Sequence, residues 1–336
     1  MSRWTHDPDG AADELVRRSL DDLALGHRVL AANQGGEVPA LLAARGHAVS
    51  LWNRRLAAGR AATPWPASGP FDAALLRLPK AKDEVEMAVH AVLGALAPAG
   101  RLILYGGNDE GIRSAAAMLG ALCGSIGTLA VRGHGRVVAA GAAGAAALRT
   151  PLSAWRTVVP LTIGGIARDW VAYPGIFAAG RLDEGTALLI GALPRLAAGA
   201  RVLDYGCGSG LIAAAALAAE PGLAVDLLDN DAVAIEGARE NVPAGRLILG
   251  ERLADAGAMP YAAILSNPPL HRGIAEDHGL LEQLIADAPA HLAPGGTLQI
   301  VVQRRIPLDR LFATHFGSAS VVAENGRYRV WRAAKA

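Results

Sequence analysis

The chain has 336 residues, 52% of them hydrophobic, with 32 Lys and Arg against 31 Asp and Glu and a formal net charge of +1. That length exceeds the usual single core and predicts two domains, and the balanced charge excludes a global basic field, so any nucleic-acid contact must come from local patches. Two cysteines, Cys123 and Cys207, stand far apart without metal-type spacing, which excludes a disulfide framework, gives no metal site and predicts a reducing, cytoplasmic setting.

The chain starts on a polar, acidic stretch without the apolar core of a signal peptide, and no run approaches the ~18 apolar residues of a membrane span. A soluble protein with no membrane partner is predicted. Short apolar strands then alternate with Ala-rich or Leu-rich segments of helical length. Gly26-His-Arg-Val-Leu30, Gly46-His-Ala-Val49, Phe71-Asp-Ala-Ala-Leu-Leu76 and Leu102-Ile-Leu104 read as strands of a mostly parallel sheet with helices on both faces. Pro98 and Gly100 mark the helix end and tight turn before the last of these, and Leu129 to Val138 reads as a hairpin. Gly-Ala repeats, then Pro151, Pro160 and Gly164-Gly165, place a linker over residues 151–170.

The same elements then return in the same order. Gly199-Ala-Arg-Val-Leu203 matches the first strand, Gly222-Leu-Ala-Val225 the second, and Tyr261-Ala-Ala-Ile-Leu-Ser266 the third. Leu292-Ala-Pro-Gly-Gly296 matches Leu96-Ala-Pro-Ala-Gly100, and Val321 to Trp331, with Asn325 and Gly326 at its turn, is the second hairpin. Two α/β domains, residues 1–150 and 171–336, follow from this repeat.

The second copy holds the chemistry. In Val202-Leu-Asp-Tyr-Gly-Cys-Gly-Ser-Gly210, residues without a Cβ at Gly206, Gly208 and Gly210 allow a sharp turn and close approach of a ligand. The helix that follows aims its free N–H groups at that place. A dinucleotide fingerprint would put its last glycine at 211, which is Leu here; G-x-G-x-G after a strand-borne Asp204 suits S-adenosylmethionine (SAM) better than NAD. Asp229 ends the next strand, beside Asn230, where a carboxylate can accept both ribose hydroxyls.

Asn267-Pro268-Pro269 follows the strand ending at Ser266. Two prolines fix their own φ and hold Asn267 extended, so its amide oxygen and a nearby carbonyl can take the two N–H donors of a planar amine. Bonds that favour a pyramidal nitrogen localise its lone pair for attack on a methyl group. Taken alone, each motif also has a plainer structural reading, as a turn, a helix cap or a strand stop.

These residues resemble the class I SAM-dependent methyltransferases, and in particular the bacterial ribosomal RNA small-subunit methyltransferase C family, which methylates guanine N2. Tyr173-Pro-Gly-Ile-Phe177 and Arg181-Leu-Asp-Glu-Gly-Thr186, followed by Asn-Pro-Pro-x-His, carry the likeness. The resemblance implies two tandem Rossmann-like domains, each a mostly parallel seven-stranded sheet with a terminal antiparallel hairpin. It implies Phe177, Asp183 and Gly185 at the cofactor entrance, Asp204, Tyr205 and the turn to Gly210 at the methionine end, and Asp229 on the ribose. Glu251 or Arg252 would lie on the adenine side. Asn267, Pro268 and Pro269 would hold the target amine, next to Leu270 and His271, Leu270 standing where an aromatic residue is usual.

Aligned on the second copy, the first has Ala31 for Asp204, Asn33 for Gly206, Glu37 for Gly210, Asn53 for Asp229 and Arg77 for Asn267. Residues 1–150 are therefore expected to bind no cofactor, and to support the second domain or grip RNA. Basic patches at Arg54, Arg55 and Arg60, at Lys80, and at Arg304, Arg305 and Arg310 are candidates for phosphate contact, though a solvated surface is the commoner role of such arginines. The expected partner is ribosomal RNA or the small ribosomal subunit, met by a monomer. Two other readings stay open: methylation of a protein glutamine amide or small amine, and a non-catalytic RNA-binding or assembly factor.

Overall fold

The computed structural model describes residues 8–56, 60–123, 125–132, 134–142, 147–178, 180–268 and 274–336. The chain divides into two compact units, Met1–Arg156 and Thr157–Ala336. No described helix is long and apolar enough to cross a membrane.

The first unit comprises α1 (Pro8–Ser19), β1 (Arg28–Ala32), α2 (Val38–Ala44), β2 (Ala48–Trp52), β3 (Phe71–Arg77), α3 (Lys82–Ala95), β4 (Leu96–Gly107), α4 (Ile112–Leu122), β5 (Ile126–Arg132) and β6 (Gly135–Gly141). Its sheet order is β2-β1-β3-β4-β6-β5. The first four strands are parallel, and β6 and β5 close the edge antiparallel. Helices cover both faces, so the central strands are apolar on both sides. Leu30 and Leu76 enter one core layer and Leu75 and Ile103 the other, each essentially unexposed, and burial of each side chain stabilises the unit by roughly 1.5–3 kcal/mol.

The second unit comprises β7 (Thr157–Ile163), β8 (Ile166–Ala172), α5 (Glu184–Ile190), β9 (Arg201–Tyr205), α6 (Leu211–Ala219), β10 (Ala224–Asp229), α7 (Ala232–Asn241), β11 (Arg246–Leu249), β12 (Tyr261–Ser266), α8 (Ile274–His291), β13 (Leu292–Gln303), α9 (Asp309–Phe316), β14 (Ser320–Glu324) and β15 (Tyr328–Ala334). Its seven-stranded sheet has the order β11-β10-β9-β12-β13-β15-β14. Without β11, that order is the order of the first sheet, strand for strand.

The two sheets depart from expectation in one respect. The first has six strands among the described residues, not seven. After β2 the chain runs through Pro64, Pro66 and Pro70 where the second unit makes α7 and β11. Proline cannot donate to a ladder, so this stretch adds no outer strand.

The expected linker is also different. Within residues 151–170, Leu152–Trp155 is one short helical turn, and β7 and β8 form an antiparallel hairpin around Gly164 and Gly165, both at positive φ. Ile163 and Trp170 are buried in the core of the second unit. The alternation in Thr157-Val-Val-Pro-Leu-Thr-Ile163 before Gly-Gly is a hairpin signal in its own right.

The duplication reaches individual hydrogen bonds. Asn33 N–H donates to the Trp52 carbonyl at 2.8 Å, as Gly206 N–H donates to the Leu228 carbonyl at 2.8 Å. Asn33 holds the left-handed φ of 56° that Gly206 holds at 70°; Asn tolerates that region better than other side chains.

Candidate active site

In the second unit the chain leaves β9 toward β10 on one side and later places β12 on the other, so the carboxyl ends of three adjacent parallel strands meet. Open α/β sheets bind ligands at such a switch point. The glycine turn leaves β9 there, Asp229 ends β10, and Asn267 follows β12.

Gly206, Gly208 and Gly210 all have positive φ, at 70°, 53° and 92°. Their roles differ. A Cβ on Gly208 would meet nothing nearer than Ile176 Cγ2 at 3.9 Å, so this position leaves room for a ligand. A Cβ on Gly210 would lie 2.8 Å from Val242 Cγ2 and 3.1 Å from Leu227 Cδ2. Gly210 therefore serves the close packing of α6 on the sheet. The turn is braced by residues outside the motif: Trp170 Nε1–H donates to Ser209 Oγ at 3.0 Å, and Asn241 Nδ2–H to the Ser209 carbonyl at 3.1 Å. Cys207, within the turn, is buried, and burial pushes its thiol well above the ordinary range, so it is no nucleophile.

Two carboxylates flank the turn. Asp204 Oδ2 accepts Ala213 N–H at 3.0 Å, while buried Oδ1 has no hydrogen-bond partner among the described residues. Burial, reinforced by the charge of Asp229, pushes this carboxyl up to about 7. Asp229 gives one oxygen to Gly208 N–H at 2.8 Å and the other to Asp231 N–H at 2.9 Å. A carboxylate that ends a strand beside a glycine turn is a natural acceptor for ribose hydroxyls. An orphaned acid beside a turn with space at Gly208 fits the ammonium, sulfonium and ribose of SAM.

Asn267 is oriented by residues from α5. Its Nδ2 donates to Thr186 Oγ1 at 2.9 Å and lies 3.4 Å from Asp183 Oδ1. Asp183 caps α5, accepting the N–H groups of Gly185 and Thr186 at 3.0 and 3.1 Å. Pro268 is buried beside Asn267, while Pro269, Leu270 and His271 lie outside the described residues.

The other expected positions stand as follows. Gly185 admits Tyr328, whose ring carbons would lie 3.2 Å from an added Cβ. Tyr205 packs in the core and donates its hydroxyl to the Glu251 carbonyl at 2.8 Å. Glu251 and Arg252 are exposed, and their backbone N–H groups both donate to Asp255 Oδ2. Asn230 is half-buried after β10, and Phe177 is 49% exposed, next to the Ile176 that covers Gly208. The structure thus brings together Asp204, the glycine turn and Asp229, and joins Asp183 to Asn267. Sequence reading missed Thr186, Trp170 and Asn241. Thr186 was inside a quoted motif, but only the fold reveals its partner 81 residues away.

The corresponding edge of the first unit is built otherwise. Arg77, in the place of Asn267, forms a two-point ion pair with Glu110 at 2.8 and 2.7 Å. Arg60 donates to the carbonyls of Gln34 and Gly36, in the turn that replaces the glycine loop. Arg55 pairs with Glu84 at 2.7 and 2.9 Å, and Arg54 is 4% exposed against the same Glu84. These two arginines, candidates for phosphate contact in the sequence, are committed within the unit. Lys80, Arg304, Arg305 and Arg310 are exposed. Among the described residues no group of three or more His, Cys, Asp or Glu could hold a metal.

A seven-stranded sheet with two antiparallel edge strands, a glycine turn after its central strand and an Asn-Pro loop after the neighbouring one together define a Rossmann-like methyltransferase. The methyltransferase small domain model matches residues 168–332, and its N-terminal counterpart matches residues 13–130. The chain is 35% identical to the ribosomal RNA small subunit methyltransferase C of Pseudomonas aeruginosa, across 79% of this chain and 80% of that one. It is 32% identical to the enzyme of the same name from Shewanella halifaxensis, across 79% and 78%. The chain belongs to the ribosomal RNA small subunit methyltransferase C family. Its fold is that of a T. thermophilus 16S rRNA N2 methyltransferase solved with AdoMet and guanosine, with a TM-score of 0.85 and 24% identity over 99% of this chain and 93% of that one.

Proposed function

We propose that the second unit transfers a methyl group from SAM to the exocyclic N2 amine of a guanine in small-subunit ribosomal RNA. The observation that carries this reading is the orientation of Asn267. Asp183 is a carboxylate and can only accept, so the group 3.4 Å from it is the Asn267 NH2, and Oδ1 is left as the acceptor for an incoming N–H. An extruded guanine presents its amine there.

SAM supplies an electrophilic methyl carbon on a positively charged sulfur. Asn267 Oδ1 takes one amine N–H and draws the nitrogen toward pyramidal geometry, which aims its lone pair at that carbon. Transfer would form the N–C bond as the C–S bond breaks, its electron pair left on sulfur and the surplus amine proton lost to water. Asp204 meets the methionine ammonium and Asp229 the ribose hydroxyls. The first unit takes no part in the chemistry, because Ala31 and Asn53 stand where those two acids would be and Arg77 and Arg60 hold its sheet edge. Exposed Arg304 and Arg305, directly after β13, are suited to phosphates flanking the target base.

The reading is tested by mapping N2-methylguanine in the ribosomal RNA of cells with and without this protein. One small-subunit guanine should lose its methyl group in the deletion; an unchanged map would remove the proposed substrate.

Cofactor affinity should follow the ionisation of Asp204. Its carboxyl titrates at about 7 in the free protein, and an ammonium pairs with the ionised form, so binding expels a proton and tightens as pH rises to that value. The Kd for SAM by calorimetry should be roughly tenfold weaker at pH 6 than at pH 7.5. Asp204→Asn should bind weakly with a flat profile over that range. A wild-type Kd that does not vary with pH would contradict the assignment.

A further inference from the structure

We infer that Thr186 is a positioning residue for the transfer, acting through the Asn267 amide; the inference rests on the reading of Asn267 given above. A primary amide has two orientations about its last side-chain bond, and they present opposite groups. With Oδ1 forward it accepts an amine N–H. With Nδ2 forward it sets donor against donor, and the amine cannot be held. What selects the first orientation is therefore part of the machinery.

Asp183, which can only accept, selects that orientation, and Thr186, whose hydroxyl can accept or donate, holds the amide in it from behind. Nδ2 lies 2.9 Å from Thr186 Oγ1 and 3.4 Å from Asp183 Oδ1, so the shorter, stronger bond is the one to the hydroxyl. Thr186 is 4% exposed, so water does not readily substitute for it. Asp183 Oδ1 also accepts the backbone N–H groups of Gly185 and Thr186, which leaves it a long, shared contact to the amide.

The seat of Thr186 is fixed in turn from the β14–β15 hairpin. Glu184 accepts Asn325 Nδ2–H at 3.1 Å and Arg327 Nη1–H at 3.2 Å, and Tyr328 packs against Gly185. The start of α5 is thus tied to the hairpin on one side and to Asn267 on the other.

Thr186→Val keeps the shape and removes the acceptor. It should lower kcat by roughly 10- to 100-fold, the cost of a misplaced reacting group, while the Kd for SAM and the KM for small-subunit RNA stay within about twofold. Thr186→Ser, which restores the hydroxyl, should recover most of kcat. Thr186→Ala is the second variant, should the valine fail to fold by its thermal transition; its kcat should fall as far. A wild-type kcat in the valine or alanine variant, or a serine variant as slow as they are, would overturn the inference. Asn267→Ala, measured alongside, separates the two levels: full activity there removes the reading of Asn267 itself, whereas its loss with Thr186→Val unaffected removes only the role of Thr186.

Discussion

Asn267→Ala should lower kcat for RNA methylation by roughly 10³-fold, comparable with loss of a preorganised group that acts on the transition state. The side chain is half-buried just after β12, and its neighbours are Thr186 of α5 and Asp183, the cap of that helix. Truncation leaves Pro268 and the strand in place, so the backbone path of the loop is retained. None of the groups assigned to SAM changes: Asp204, Gly208 and Asp229 lie at the carboxyl ends of β9 and β10 and in the turn after β9. The Kd for SAM should therefore stay within about twofold, and the loss should fall on kcat. Single-turnover methylation with labelled SAM measures the first quantity and calorimetry the second. A variant with a normal single-turnover rate would show that the amide oxygen does not hold the amine.

Asp229→Asn should weaken SAM by roughly 10²-fold, because hydrogen bonds to a charged acceptor contribute about 1.5–3 kcal/mol each. The duplication makes this a cleaner test than truncation. Asn53, at the equivalent place in the first unit, accepts the Gln34 N–H through its amide oxygen at 2.8 Å. That donor sits one position earlier in its turn than Gly208 does, but it shows that an amide oxygen at this strand end can hold a turn N–H, so an Asn at 229 can keep the Gly208 bond. Its amide nitrogen cannot accept a hydroxyl and meets the Asp231 N–H, donor against donor. The expected outcome is a folded protein with poor SAM affinity by calorimetry and a raised KM for SAM. Unchanged affinity would move the ribose elsewhere.

The readable part of this chain was what repeats or what depends on local backbone chemistry. Matching strand openings at Gly26 and Gly199 revealed the duplication, and the strand-turn-helix of residues 202–211 gave the cofactor side, since a tight glycine turn must be written in glycines. What stayed hidden was set by partners distant in sequence. Gly210 looked like a ligand-approach residue, but the reason no Cβ fits is Val242 and Leu227. Gly185 was assigned to the cofactor entrance, and the contact that requires it is Tyr328, more than 140 residues on. Arg77 was noted only as a lost Asn, whereas its ion pair with Glu110 replaces the amide by a structural contact. The limit of six described strands in the first sheet is written in the prolines between β2 and β3, whose missing N–H groups cannot extend a ladder.

The most direct measurement is the chemical identity of the product. Small-subunit RNA lacking the modification, incubated with the purified protein and methyl-labelled SAM, is digested to nucleosides and resolved by mass spectrometry. Label confined to N2-methylguanosine, and absent with Asn267→Ala, is the predicted result. Label in another nucleoside, or its transfer to protein glutamine in place of RNA, would contradict the proposal that this Asn-Pro loop presents a guanine amine to SAM.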